Sequence, residues 1–335
     1  MSKRCFQQVI RLNFTYYTIM FTLQILLWGS VSLASVFNLW GFWAHRFINR
    51  MAVYRLPPEM GVLFKPHIDW ISDNAVNPDR RRYSVVGEAE RHFIDLDSYG
   101  DSAAYLPRDW KAALARYGED SLRNHGIAPW HLERHLHQLT DAFRTGETSR
   151  ILRLAADLGH YVADIHVPLH TTRNYNGQLT GQEGIHAFWE TRLPELYATD
   201  YEFWIGPVRY IEDPRETIWQ TILETHAACD SVLSLERKIA AGLPPDRQYV
   251  YELRNNALVK VPTPEFSRLY HRELAGQVER QMKKAIQLTG DLWYSCWVNA
   301  GQPVLPSTIS TNIAESFPDT TSVRIPGVRM ETDYE

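Results

Sequence analysis

Apolar residues recur at helical spacing along most of the chain, most regularly from Thr148 onward. There Ile151, Leu154, Ala155, Leu158, Tyr161, Val162 and Ile165 fall on one stripe, which predicts an amphipathic helix ended by Pro168. Residues 45–56 form a shorter amphipathic segment closed by Pro57-Pro58, and residues 59–75 have the length of a second helix before Asn77-Pro78-Asp79 breaks it. Residues 101–126 read as helix and turn, and Pro129 opens a helix running to about Phe143. Further helices are predicted over 183–196, 216–241 and 264–300, while strand-like alternation is scarce. No repeat or composition shift divides residues 40–300, which predicts a single all-α, multi-helix domain. Residues 301–335, rich in Ser, Thr and Pro, are expected to be extended or disordered.

The N-terminus departs from this pattern. Lys3, Arg4 and Arg11 precede an almost uncharged stretch over residues 12–39, and Ser32-Leu33-Ala34 offers small residues at the spacing a signal peptidase reads. Residues 1–39 are therefore expected to be an export signal or a retained N-terminal anchor, which makes the protein periplasmic or secreted. They hold three bases and no acid, so their removal takes the net charge from −4 to −7. A chain of that sign repels polyanions unless bound cations reverse the field locally. Only Cys229 and Cys296 lie beyond the export segment, which excludes a disulfide framework and a cysteine-type zinc site. Those two either form one bridge or stay as buried thiols.

Thirteen histidines direct attention to metal chemistry, because neutral imidazole is a common ligand. His160 and Asp164 stand four apart within the apolar stripe, so both project from one helix face and can meet one cation. Pro168 turns the chain so that His170 can reach the same place, and His186 and Glu190 repeat the four-residue spacing. Either pair taken alone reads as a surface ion pair. The apolar surroundings of His160 and Asp164 favour burial instead, where a carboxylate needs a strong partner such as zinc. His125, His131, His135 and His137 have no acid in a matching motif and read as surface or packing residues, and His166 points away from the His160 face. Asp73, Asp95 and Asp97 are rival carboxylates near the site.

With the motif His160-x3-Asp164-x5-His170, preceded by Pro168-Leu169 before the last His, the chain resembles the single-strand-specific zinc nucleases of the mung bean type and the related bacterial zinc phospholipases C. The resemblance extends over residues 40–198 and includes Trp40-Gly41-Phe42-Trp43-Ala44-His45, Pro78-Asp79-Arg80-Arg81-Arg82 and His92-Phe93-Ile94-Asp95. It implies the multi-helix fold of that superfamily and two or three zinc ions. One would be held by Asp79, His92, His160 and Asp164, a second by His170, His186 and Glu190, and a third by Trp40, His45 and Asp164. Asp164 would be shared between cations that ready a water for attack on phosphorus. Arg82, with Arg80 and Arg81 beside it, would clamp the phosphate.

The implied activity is phosphodiester hydrolysis of single-stranded DNA, RNA or nucleotide phosphoesters, with no obligate protein partner. Glu190 stands where those nucleases usually have Asp and the phospholipases Glu, so a phospholipid head group is the alternative substrate. A helical protein with structural zinc is the non-enzymatic alternative. Phe42, Trp43, Phe93, Tyr161, Phe188 and Trp189 surround the motifs and read as core or as stacking surfaces.

Overall fold

In a computed structural model of the chain, residues 40–254 and 257–307 are described. Residues 1–39, with the expected signal or anchor, and the tail beyond 307 lie outside them. Among the described residues no helix is long and apolar enough to cross a membrane. The fold is all-α apart from one hairpin.

Helix α1 (Trp40–Tyr54) starts the domain, followed by α2 (Pro58–Phe64), α3 (Ile68–Asn74) and α4 (Asn77–Arg81). The expected single helix over 59–75 is thus divided, with a 3-10 turn at Lys65–His67 where Pro66 removes a donor. The helical stretch does end just before Asn77-Pro78-Asp79, at Asn74, and that sequence then starts a new helix, with proline in the first turn where its missing N–H costs nothing. After 3-10 turns at Ala89–Arg91 and Leu96–Tyr105 come α5 (Trp110–Tyr117), capped by Asp109, and α6 (Glu119–Asn124). Helix α7 (Ala128–Thr145) ends on left-handed Gly146, and α8 (Thr148–Asp164) packs antiparallel to it.

Ile185–Ala187 (α9) runs through a π turn at Phe188–Arg192 into α10 (Leu193–Tyr197). The expected helix over 216–241 is two, α11 (Pro214–His226) and α12 (Cys229–Gly242). That over 264–300 is also two, α13 (Pro264–Glu273) and α14 (Gln277–Asn299), separated at positive-φ Ala275 and Gly276. The hairpin β1 (Tyr249–Arg254) and β2 (Ala257–Pro262) went unpredicted. It is tied to the body by Arg192 on Glu252 at 2.7 Å and Arg254 on Glu195 at 2.9 Å, so long-range ion pairs rather than strand propensity hold it in place.

Among the described residues two large apolar clusters organise the chain, with a third small one of Ile48, Ala163, Ala285 and Ile286. The larger joins α1, α2, α7, α8, α11 and α14 around Phe64, Phe143, Trp219 and Trp293, and the Trp293 indole donates to the Ala155 carbonyl at 3.0 Å. The second gathers Leu169, Phe188, Trp189, Phe266 and Tyr270. Each such side chain, fully buried, contributes roughly 1.5–3 kcal/mol. Arg55 is buried against Asp291 at 2.8 Å and also donates to the Gly206, Pro207, Ile286 and Gln287 carbonyls. Its full set of acceptors offsets the cost of burying the charge and pins the extended segment over 202–211. The stretch after α14 is packed at its start, because Trp297 donates to the Pro303 carbonyl and Leu305 enters the larger cluster.

Candidate metal centre

Helix α8 is buried on every residue from Ala155 to Asp164, so its polar side chains near the C-terminus need partners. His160 Nε2 lies 3.3 Å from Asp164 Oδ2 and 3.4 Å from Asp79 Oδ1. His92 Nδ1 lies 2.9 Å from Asp164 Oδ2 and 3.6 Å from Asp79 Oδ1. From α1, His45 Nε2 approaches Asp164 at 3.6 Å and Glu190 at 3.7 Å. Glu190 Oε2 in turn meets His186 Nε2 at 2.7 Å and His170 Nε2 at 3.4 Å. Three groups result, each with ligand atoms within 4.8 Å of one another: His45, His160 and Asp164; Asp79, His92 and His160; His170, His186 and Glu190. Because His160 belongs to two groups and His45 reaches Glu190, they form one continuous polar cluster.

The local backbone explains this convergence. Pro168 starts a 3-10 turn, Pro168–Thr171, that carries His170 back to the end of α8. The loops bearing His92 and His170 lock each other, since Ile94 N–H donates to the His170 carbonyl at 2.9 Å while His170 Nδ1 pairs with the His92 carbonyl at 2.7 Å. The π turn at Phe188–Arg192 carries Glu190 toward His186 and His170; such turns recur at functional sites.

The histidines are oriented for ligation. Nδ1 of His160 pairs with the Ala75 carbonyl at 2.8 Å, and Nδ1 of His186 with the Tyr175 carbonyl at 3.2 Å. With His170 held the same way, a carbonyl fixes the hydrogen on Nδ1 and leaves the Nε2 lone pair facing the cluster. His92 is turned the other way, with Nδ1 inward and Nε2 3.8 Å from buried Glu88. Imidazole nitrogens and carboxylate oxygens in this arrangement suit zinc, which takes both donor types in four-coordinate sites.

The electrostatics favour a cation. Burial pushes the Asp79 carboxyl up, but His160, His92 and His45 outweigh it and hold the group well below the carboxylate range. Asp164 and Glu190 follow the same logic beside their histidines. Burial and neighbouring His160 push His45 down to about 4, so it stays a neutral donor.

The arginines that follow Asp79 divide. Arg82 is buried 3.7 Å from Asp79 Oδ1 and faces the cluster. Arg81 turns away to Asp157 at 2.9 Å and Glu88 at 3.1 Å, and Arg80 bonds Asn77 at 3.2 Å. Glu88 and Asp157 were missed by the sequence reading. Glu88 takes Arg81, Arg91 and the Tyr161 hydroxyl in a buried network behind His92. Asp157 carried a signal, standing three before His160 on the same helix. Asp73 is not a rival ligand; it is 72% exposed and faces Arg46 at 3.7 Å. Asp97 instead accepts from Thr172 and Arg173.

His131 and His135 are buried and pack edge-on against Tyr161, and His166 bonds the Val162 carbonyl. Phe42, Phe93, Tyr161, Phe188 and Trp189 are core. Cys229 and Cys296 are both free and buried. Trp40 begins α1, and its part in a metal site lies outside the described side chains.

No family model matches the chain, and no curated protein matches it. Among solved structures it is similar to the alpha-toxin of an avian strain of Clostridium perfringens, at a TM-score of 0.45 and 13% identity over 79% of this chain and 66% of the toxin. It is similar also to the alpha toxin of Clostridium absonum, at a TM-score of 0.40 and 11% identity over 76% of this chain and 65% of that one. The chain spans just under two thirds of both toxins.

Proposed function

We propose that this chain is an exported, zinc-dependent phosphodiester hydrolase acting on single-stranded nucleic acid or nucleotide phosphoesters. The observation that carries the reading is the continuous cluster of three donor groups joined through His160 and Asp164, with the Arg82 guanidinium beside it. Asp79, His92, His160 and Asp164 would hold one ion, His170, His186 and Glu190 another, and His45 with Asp164 a third, to which the Trp40 main chain would contribute. When bound, the cations supply Lewis acidity toward a phosphoryl oxygen and toward water. Asp164 serves two donor groups at once, its Oδ2 lying 2.9 Å from His92 Nδ1 and 3.3 Å from His160 Nε2. Arg82 supplies a fixed positive charge where a phosphate would carry its negative one. Export rests on the charge pattern of residues 1–39.

A second reading, hydrolysis of a phospholipid head group, is favoured by an apolar groove of about 600 Å³ lined by Met51, Tyr54, Phe203, Trp204, Ile205 and Tyr294. Its Trp204 is 88% exposed. Metal analysis of the purified protein, followed by assays on denatured DNA, RNA and phosphatidylcholine, tests both. Zinc with turnover of the nucleic acids supports the first reading and turnover of the lipid the second. Zinc with no turnover of any phosphodiester would leave a structural metal centre.

A further inference from the structure

Outside the metal centre, a groove of about 330 Å³ opens between α5, α6 and α7, with Trp110, Trp130, Arg123, His131, Glu133 and Arg134 on its walls. Its acids are already engaged. Glu119 takes Arg123 at 2.8 Å, Glu133 takes Arg215 through two bonds, and Asp109 caps α5 through Ala112 N–H at 2.9 Å. Among the described residues Arg134 has no carboxylate partner; its one bond runs from Nη2 to His131 Nδ1 at 3.1 Å. That bond makes His131 an acceptor at Nδ1, so it is neutral. Although the residue is exposed, partial desolvation of its guanidinium, then neighbouring Arg91 and Arg123, disfavour its charge, which is the setting an added anion relieves.

The aromatic wall is preformed. Trp130 is fixed by its N–H on the Pro107 carbonyl at 3.1 Å and by an edge contact with Trp219 at 5.1 Å. Trp110 meets Trp130 edge-on at 5.7 Å and is half-buried along the groove. Trp130 belongs to the larger apolar cluster, so it backs the groove and leaves half-buried Trp110 as the indole that lines it with Arg134, in a cavity of ligand size.

We propose that this groove is a second ligand site that takes a small planar aromatic anion, its ring against Trp110 and its phosphonate, phosphate or carboxylate group on Arg134. A guanidinium offers such a group two parallel hydrogen bonds. The site is independent of the metal centre and of the reaction proposed there.

The test is calorimetric titration of the zinc-loaded protein with phenylphosphonate, whose P–C bond a phosphodiesterase does not cut, with inorganic phosphate and benzyl alcohol as controls. Wild type should bind phenylphosphonate at least tenfold tighter than either control. Arg134→Gln, a change at an exposed position, and Trp110→Ala should each weaken that binding by about tenfold or more, with zinc content unchanged. Equal affinity in wild type and Arg134→Gln would overturn the proposal. So would binding that disappears in Asp164→Asn but persists in Arg134→Gln, because the probe would then report only the metal centre.

Discussion

Asn49 of α1 and Gly159 of α8 touch so closely that a Cβ on Gly159 would lie 1.7 Å from Asn49 Oδ1. The same Asn49 side chain donates to the Ala156 carbonyl at 3.0 Å, so one asparagine ties together the helices that deliver His45 and His160. The result brings the two imidazoles into a stack with ring centroids 4.0 Å apart.

Gly159→Ala is therefore expected to destabilise the protein by about 1–3 kcal/mol through overpacking. Separating the helices should also lower bound metal per chain. Urea denaturation and metal analysis read both effects, and adding Asn49→Ala should restore part of each. An unaltered midpoint in Gly159→Ala would refute the close approach.

Asp164→Asn and His160→Ala should each abolish phosphodiester hydrolysis and reduce zinc content, since these residues join the donor groups. Turnover near the wild-type rate in either variant would remove the proposed function. Chelation of the wild type should lower its melting temperature, a bound ligand at a thousandfold its Kd being worth about 4 kcal/mol.

Arg82 and Arg81 should behave oppositely. Arg82→Gln is expected to lower kcat by about 10²–10³-fold with little change in metal content, in line with the loss of one preorganised donor. Arg81→Gln strips Asp157 of its counter-charge, leaves Glu88 with Arg91 alone, and should cost stability, about 3–5 kcal/mol, rather than a specific step. Equal kinetic effects in the two variants would argue against a phosphate role for Arg82.

Burial holds both His131 and His135 below the ordinary value of 6.5. The unfolded chain binds protons below that value that the folded chain refuses, so stability should rise with pH up to about 6.5 and fall on acidification. His135→Gln should flatten the slope of melting temperature against pH across that range. A slope identical to wild type would exclude His135 as a source.

Burial pushes both Cys229 and Cys296 up to about 12. Neither thiol should be alkylated by iodoacetamide in the native protein at neutral pH, and both should react after denaturation. Mass spectrometry counts the adducts; failure of both to react when unfolded would instead mean a bridge.

The helical period and the spacing of the acids and imidazoles determined much by themselves. The stripe from Ile151 to Ile165, the four-residue spacings of His160 with Asp164 and of His186 with Glu190, and the turn after Pro168 are local patterns, legible because a helix repeats every 3.6 residues. Prolines and glycines were less legible, since Pro78 starts a helix and Pro66 interrupts one, and only packing decides which. What the tertiary structure alone decided is long-range. His92 and Asp164 are 72 residues apart, and Arg81 pairs with Asp157 across 76. No periodicity reports which of three adjacent arginines faces the metal donors, that Glu88 is buried behind them, or that a hairpin is held by Arg192 and Glu195. Side-chain direction on a helix is set by sequence spacing, whereas the partner a buried charge meets is set by the fold that surrounds it.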